Sequence, residues 1–480
     1  MFFLLRIIFY CLLFSFLLPS FEIIYYYHFG TVTNSDALYP YLFIKDFNSN
    51  LHQISGWVTP PSHCLFPDLG FMFLLQLIID NIYWIHWAFA FFCFLSIIYV
   101  MRMLSLSWSI ALVTALCFLK LGELYPRDWG QFFLPSFHGT EFFLLGLNLH
   151  LLRGREELTF GKGILIGITL ALSIFSELWF FVHSFIPMIL YVLISKKYNL
   201  KSLLVVVFAG LGSYQLLLNL QKVIGIGSFQ PKQFPIKESL QSLHEILKNE
   251  PISLFERIAF VPGNLPLREL LIPSFWILLF FTIYRLWKNQ KDPKILLLPL
   301  SMLGGMIFIQ IGNLEVNARH FYFLPASIIG MFFFNLGSFA FLKKITTLAL
   351  FLMIVLSSNR FLLDPNLTRE IETSKSLHSE RITCTIQTWQ TWGKSRGAST
   401  YWPVKYMRAF SSEQINLIPF TNDGVYYPWV HNLKWDSEYA SPVPKQLDWG
   451  IVSANEDLLF GRVGKEFRIC ADWKLIRTKE

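Results

Sequence analysis

The chain has 480 residues, of which 54% are hydrophobic and 15% charged, with a mean hydropathy of +0.46. That balance excludes an ordinary soluble globular protein and makes lipid the solvent for most of the chain. The formal charge of +8 does not mark a nucleic-acid partner, because Lys and Arg fall mainly in short loops between apolar runs and form no long basic stripe.

Residues 2–27 are almost wholly apolar apart from Arg6. They exceed the core of a signal peptide, and no small-x-small cleavage site follows, so the segment is expected to stay as a first membrane helix. A polar and aromatic stretch, 28–66, comes next. Apolar runs then follow at about 67–80, 84–101, 107–121, 131–152, 162–195, 201–221, 271–287, 295–312, 318–338 and 344–358. The run at 162–195 is too long for one span and is broken by Ser176, Glu177 and Pro187, so it reads as two; the run at 67–80 is short and reads as interfacial or re-entrant. Tyr25, Tyr26, Trp57, Tyr83, Trp84 and Trp129 stand where apolar runs end, the level of lipid headgroups.

Basic residues cluster at Arg153/Arg155, Lys196/Lys197/Lys201, Lys288/Lys291/Lys294 and Lys343/Lys344. Placing those loops in the cytoplasm puts the N-terminus inside, and leaves the loops 28–66, 122–130, 222–270 and 312–318 and the C-terminal tail outside. From Arg360 the hydropathy collapses and Pro, Gly, Asn and Asp punctuate short aromatic and β-branched runs. The expected fold class is therefore mainly α: a polytopic transmembrane helical bundle, 1–358, of about 11–12 segments at about twenty residues per span, followed by a soluble α/β or mostly β extracytoplasmic domain, 359–480. The expected location is the inner (cytoplasmic) membrane. With the tail facing an oxidising compartment outside that membrane, Cys384 and Cys470, which bracket it, are expected to form a disulfide, whereas Cys11, Cys93 and Cys117 lie in apolar segments as small hydrophobes.

The stretch Asn34-Ser35-Asp36-Ala37-Leu38-Tyr39-Pro40-Tyr41 begins just after the first helix emerges. A carboxylate there sits beside the membrane yet meets water, so Asp36 can serve as general base toward an acceptor while a lipid-linked donor stays in the bilayer. Its plainer reading is a cap on the following helix. A first helix, an acid at the start of a long first outer loop, many further spans and an outer C-terminal domain together resemble the GT-C superfamily of membrane glycosyltransferases. That resemblance implies a polyprenyl-phosphate-linked sugar donor, with Asp36 at the position of the superfamily's loop aspartate. The chain departs from the common variant in which a second acid follows at once, since Ala37 stands there.

The resemblance extends to Tyr125-Pro126-Arg127-Asp128-Trp129, where Asp128, with Glu123 as substitute, matches a second acid before the next helix. A plain Arg127–Asp128 surface pair is the alternative. His138 and Glu141 fall three apart at the outer end of the 131–152 run, on one face if that run is helical. They are candidates for substrate binding or for a structural pair; a divalent metal held there would need a third ligand, from Asp36 or Asp128. Glu177 emerges between two halves of an apolar run on the same face, as a Ser-acid pair does in similar GT-C proteins. Arg319, His320 and Tyr322 open the next-to-last span from outside, where a guanidinium fork suits a carrier phosphate or, equally, a lipid headgroup.

In the tail, Tyr401-Trp402-Pro403 and Tyr426-Tyr427-Pro428-Trp429 are dense in aromatics that either stack on sugar rings or fill the tail's own core. The partners expected are a polyprenyl-phosphate-linked sugar, membrane lipid and an envelope glycan, lipid or protein as acceptor. A transporter or flippase of lipid-linked or soluble substrates is the main alternative. An envelope-glycan polymerase with its site in 222–270, a loop that offers Lys232, Lys237, His244 and Arg257, is the weaker alternative. Neither GxGxxG nor a P-loop is present.

Overall fold

The computed structural model describes residues 17–49, 51–60, 64–152, 159–176, 180–195, 201, 203–210, 212, 219, 227–228, 267–289, 293–312, 318–337, 339–363, 365–393, 397–412, 414–421, 426–428, 430–437, 448–453 and 466–477. It is mainly helical, with a small β-sheet in the C-terminal region. The helices are α1 (17–26), α2 (Tyr39–Ser49), α3 (Gly70–Gln76), α4 (Ile82–Met103), α5 (Trp108–Leu124), α6 (Glu141–Leu151), α7 (Phe160–Ser176), α8 (Ile186–Ser195), α9 (Arg268–Asn289), α10 (Leu297–Gly312), α11 (Phe323–Asn335), α12 (Ala340–Leu363), α13 (Pro365–Thr391), α14 (Tyr401–Phe410) and α15 (Leu433–Ser437). Among the described residues, two helices, Ile82–Met103 and Arg268–Lys288, are long and apolar enough to cross a membrane, and several shorter apolar helices accompany them.

Local chemistry sets many of the boundaries. Asn81 caps α4 by accepting from the backbone N–H of Tyr83 and Trp84, and Ser107 caps α5 by accepting from Ile110. Between them the chain turns through Ser105 at φ 64°, while the Arg102 guanidinium donates to the Leu106 carbonyl and lies 4.7 Å from the Trp108 ring centre. The 162–195 run does divide, into α7 and α8, with a π-helical turn at Phe181–Phe185 before α8.

The 131–152 run is not one helix. A 3-10 turn, Gly130–Phe133, is followed by irregular chain in which Ser136 and His138 both have positive φ, and α6 begins only at Glu141. The chain unwinds there because buried Asp68 offers an alternative partner, accepting from Ser136 N at 2.8 Å and from the Thr140 hydroxyl. Such irregular backbone is tolerated inside an apolar body only where protein satisfies it.

The tail opens on α13, whose start follows directly on the end of α12. Its five-stranded sheet runs β4 (Leu417–Phe420), β3 (Gly397–Thr400), β6 (Trp449–Ser453), β8 (Trp473–Arg477), β7 (Glu466–Cys470). β3 is parallel to β4 and β6, and β8 is antiparallel to β6 and β7. The parallel step from β3 to β4 needs a crossover, which α14 supplies, so the tail is α/β. The Cys384–Cys470 disulfide joins α13 to β7.

Tail and first loop interlock. β1 (Trp57–Thr59) pairs with β5 (His431–Asn432) and with β2 (Gly227–Ser228) in a second, three-stranded sheet. Asp46 of α2 is buried and accepts from Trp57 Nε1 (2.9 Å), Asn432 Nδ2 (2.6 Å) and Trp435 Nε1 (3.0 Å). On the other side, α13 lies so close to the turn after α1 that a Cβ on Gly30 would collide with the Ser374 carbonyl. Arg381 donates to the Phe29 and Gly30 carbonyls and, through two bonds of 2.6 Å, to Asp472.

Candidate functional site

Asp36 opens a short 3-10 turn, Asp36–Leu38, and its carboxylate turns to the tail. Oδ1 accepts from the Tyr401 hydroxyl and from Lys405 Nζ at 3.1 Å; the ammonium also donates to the Tyr401 oxygen. Tyr401 and Lys405 are four apart on α14 and so share one face. Lys405 is 1% exposed and Asp36 35% exposed. The carboxylate is thus anchored through one oxygen, while no hydrogen bond to Oδ2 occurs among the described residues. Burial pulls the Lys405 ammonium down to about 8, against the neighbouring Asp36 charge and hydrogen bond, which raise it. Burial, and then the Asp36 charge and hydrogen bond, push the Tyr401 phenol well above its ordinary range, so it stays a neutral donor.

The rings around this carboxylate come from both aromatic tail segments. Trp402 lies 5.0 Å and Tyr427 6.0 Å from the Tyr401 ring centre, and Asp36 is close enough to raise the Tyr427 phenol after burial has done so. Behind the site the His86 ring on α4 reaches the Ala37 carbonyl at 3.3 Å.

His138 and Glu141 come together, but inside the helical body. Glu141 Oε2 is hydrogen-bonded to His183 Nδ1 at 2.7 Å and Glu141 Oε1 stands 3.1 Å from His138 Nδ1, within ion-pair distance, with all three side chains almost wholly enclosed. His183 lies 5.3 Å from the Phe323 ring, and Gly305 of α10 lets the helices close here: a Cβ would stand 2.6 Å from His183 Nε2 and 3.2 Å from the His320 carbonyl. A hypothetical Cβ on Gly139, near His138, would stand 3.1 Å from Cys93 Sγ, and Cys93 is seven residues beyond His86 on α4. This cluster therefore lies about 10 Å farther along α4 than the Asp36 turn, at 1.5 Å per residue.

Asp128 sits beside Tyr27 and Arg127, half-buried, where burial raises its carboxyl and Arg127 partly offsets that. Its turn packs on the chain after α1, with the His28 ring nitrogen 2.8 Å from the Pro126 carbonyl. Tyr322 is buried against Trp129 and Phe132, at 6.1 and 5.0 Å between ring centres. The turn carrying Asp128 and the 3-10 segment Ala318–Phe321, which carries Arg319 and His320, are thereby neighbours. His320 is buried. The Arg319 side chain, Glu177 and nearly all of the 222–270 loop lie outside the described residues.

Sequence reasoning missed Lys405 and His183, and gave Tyr401 no role at Asp36. The one local signal was the four-residue spacing of Tyr401 and Lys405, which says that they act together but not on what; Asp36 is 369 residues from Lys405. Among the described residues no group of three His, Cys, Asp or Glu side chains is arranged to hold a metal ion. No protein-family model and no curated protein matches the chain.

Proposed function

We propose that the protein is a polytopic membrane glycosyltransferase of GT-C type that moves a sugar from a polyprenyl-phosphate carrier to an extracytoplasmic acceptor, with Asp36 as general base. The observation that carries this reading is the Asp36 carboxylate itself: Oδ1 is held by Tyr401 and Lys405, and the side chain is partly open to solvent at the seam between first loop and tail. In the reaction an acceptor hydroxyl oxygen forms a bond to the anomeric carbon, and the bond from that carbon to the phosphate oxygen breaks. The hydroxyl proton passes to Asp36 Oδ2, and the leaving electron pair stays on polyprenyl phosphate. Lys405 and Tyr401 fix the base, as general-base catalysis needs a set geometry before a set pKa. Asp128 and the Arg319–Tyr322 segment lie on the α1 side of the same loop, where a carrier phosphate would arrive.

The membrane reading draws on the arrangement of helix ends. Counting α1, α4 to α12 and the 203–210 segment gives eleven crossings, an odd number that sends the tail to the side opposite the N-terminus. α3 has only 7 residues and drops out of the count. One end of the body gathers Arg102, the Lys294–Ser105 contact and Arg285, which donates to the Phe334 carbonyl at 2.9 Å; the other gathers Asp36 and His86, and the Glu141 cluster lies between the two ends, level with Cys93 in the middle of α4. Large apolar side chains of α9 and α12, among them Phe280, Trp287, Phe341 and Leu348, point outward, as lipid-facing residues do.

A transporter or flippase is the second reading, favoured by the enclosed His138–Glu141–His183 cluster, since ionisable groups inside an apolar body serve proton and substrate pathways. One experiment separates the two. Wild type and Asp36→Asn, in nanodiscs, are assayed for release of polyprenyl phosphate from a panel of polyprenyl-phosphate sugars with envelope extract as acceptor. Release by the wild type that falls about 10²–10⁴-fold in the variant at equal folded yield supports the transferase. If neither consumes donor while the wild type moves labelled lipid across a bilayer, the transport reading replaces it.

A further inference from the structure

We infer that the acceptor is a carbohydrate, held by its ring faces on an aromatic wall made by Trp402, Tyr401 and Tyr427 beside Asp36; this rests on the transferase reading above. Three rings in succession touch one another, at 5.0 and 6.0 Å between centres, and the middle one donates its hydroxyl to the Asp36 carboxylate. Trp402 is 43% exposed. A large indole left in water beside a partly open carboxylate is not filling a core; Pro403, Val404 and Tyr406 of the same helix do that. Tyr427 is half-buried and within electrostatic reach of Asp36.

The chemistry distinguishes the three acceptor classes. The axial C–H bonds of a pyranose form a weakly positive face that suits the negative face of an indole or phenol, while its hydroxyls project from the rim toward polar groups. A sugar on Trp402 and Tyr427 would present a rim hydroxyl to Asp36 Oδ2, as the transfer requires. A phosphorylated lipid headgroup would ask for exposed cations at the wall. Among the described residues the cation that touches the wall, Lys405, is buried and already committed to Asp36 and Tyr401. A peptide acceptor would ask for an open strand edge; β3, which leads into α14, is flanked by β4 and β6, and the outermost strand β4 is met by the wall's own segment, through the Phe420–Tyr426 bridge and the Tyr427 N–H donating to the Pro419 carbonyl at 2.9 Å.

The test uses the full chain in nanodiscs, with a donor that it consumes, and three acceptor panels: soluble hexasaccharides of differing linkage, phospholipids with hydroxylated headgroups, and Ser/Thr/Asn peptides. Transfer to a hexasaccharide is expected, with its KM raised about 10-fold or more by Trp402→Ala and by Tyr427→Ala and largely restored by Trp402→Phe. Saturation-transfer NMR is expected to place the sugar C–H protons, rather than the carrier, against aromatic protons. Asp36→Asn should abolish transfer while leaving hexasaccharide binding within about threefold. Transfer to the lipid or peptide panel with an acceptor KM unmoved by Trp402→Ala overturns the carbohydrate assignment and leaves the transferase standing. Ring-dependent sugar binding by a protein that consumes no donor overturns the acceptor role together with the transferase reading.

Discussion

Lys405 shows how a residue can be invisible in sequence and decisive in the fold. A lysine on a short amphipathic helix ordinarily reads as a solvated side chain; here it is enclosed and aimed at Asp36. Enclosure holds its proton affinity near 8, below that of a free lysine, because the charged form loses more hydration than the single carboxylate returns. The sign of the linkage follows. Between pH 8 and the unfolded value of about 10.4 the unfolded chain binds the extra proton, so stability rises with pH across that window and the cost of burying the ammonium is present in full below it. From pH 8 to 10 the gain is about 2–3 kcal/mol. Unfolding midpoints in detergent should therefore climb over that range in the wild type and stay flat in Lys405→Met; a parallel climb in both would show that another group titrates. The place of Asp36 just past the first helix was legible, its role less so, since capping the next helix was the plainer reading there. Its partners were not, because long-range pairing leaves no trace in local spacing.

At the scale of elements, apolar runs translated well into helices wherever nothing polar competed for the backbone. The runs at 84–101, 107–121 and 271–287 became α4, α5 and α9 nearly as read. The 131–152 run failed because Asp68, an acid some seventy residues earlier, captures Ser136 and Thr140, and periodicity cannot report a competitor so distant in sequence. The tail's α/β character was one of two options, and the long polar helix α13 went unread because it carries no apolar run. One contact that fixes the tail to the loop and one that closes the tail on itself make separate predictions. Asp46→Ala leaves the Trp57, Asn432 and Trp435 donors without their common acceptor beside Arg408 and should cost about 3–5 kcal/mol, while Asp46→Asn, which keeps an oxygen, should cost less than half of that. Differential scanning fluorimetry and the rate of proteolysis in the tail read both variants. The Cys384–Cys470 bridge spans 86 residues, so its loss in Cys384→Ser should remove about 4.6 kcal/mol from the tail by the chain-entropy relation. The urea midpoint of tail tryptophan fluorescence should fall accordingly, and reductant should lower the wild type to the same value.

For the whole molecule the consequential relation is that first loop and tail, at opposite ends of the sequence, share a sheet, a buried carboxylate and the Asp36 centre. Both must then lie on one side of any membrane that the body crosses. With α2 held to the tail through Asp46 and α3 left out of the count, the proposed eleven crossings satisfy that requirement, and a twelfth would carry the tail away from the loop it pairs with. The basic clusters give the direction: Lys288 ends α9 on the side assigned to the cytoplasm, and Thr391, exposed at the end of α13, faces the other. A cysteine placed at Thr391 should react with a membrane-impermeant maleimide in intact cells, and one at Lys288 only after permeabilisation. The reverse pattern would invert the orientation and move the Asp36 centre to the cytoplasmic face. Labelling of both sites in intact cells would mean that the body does not span at all, and a transferase drawing on a lipid carrier at the outer surface would have to be abandoned with it.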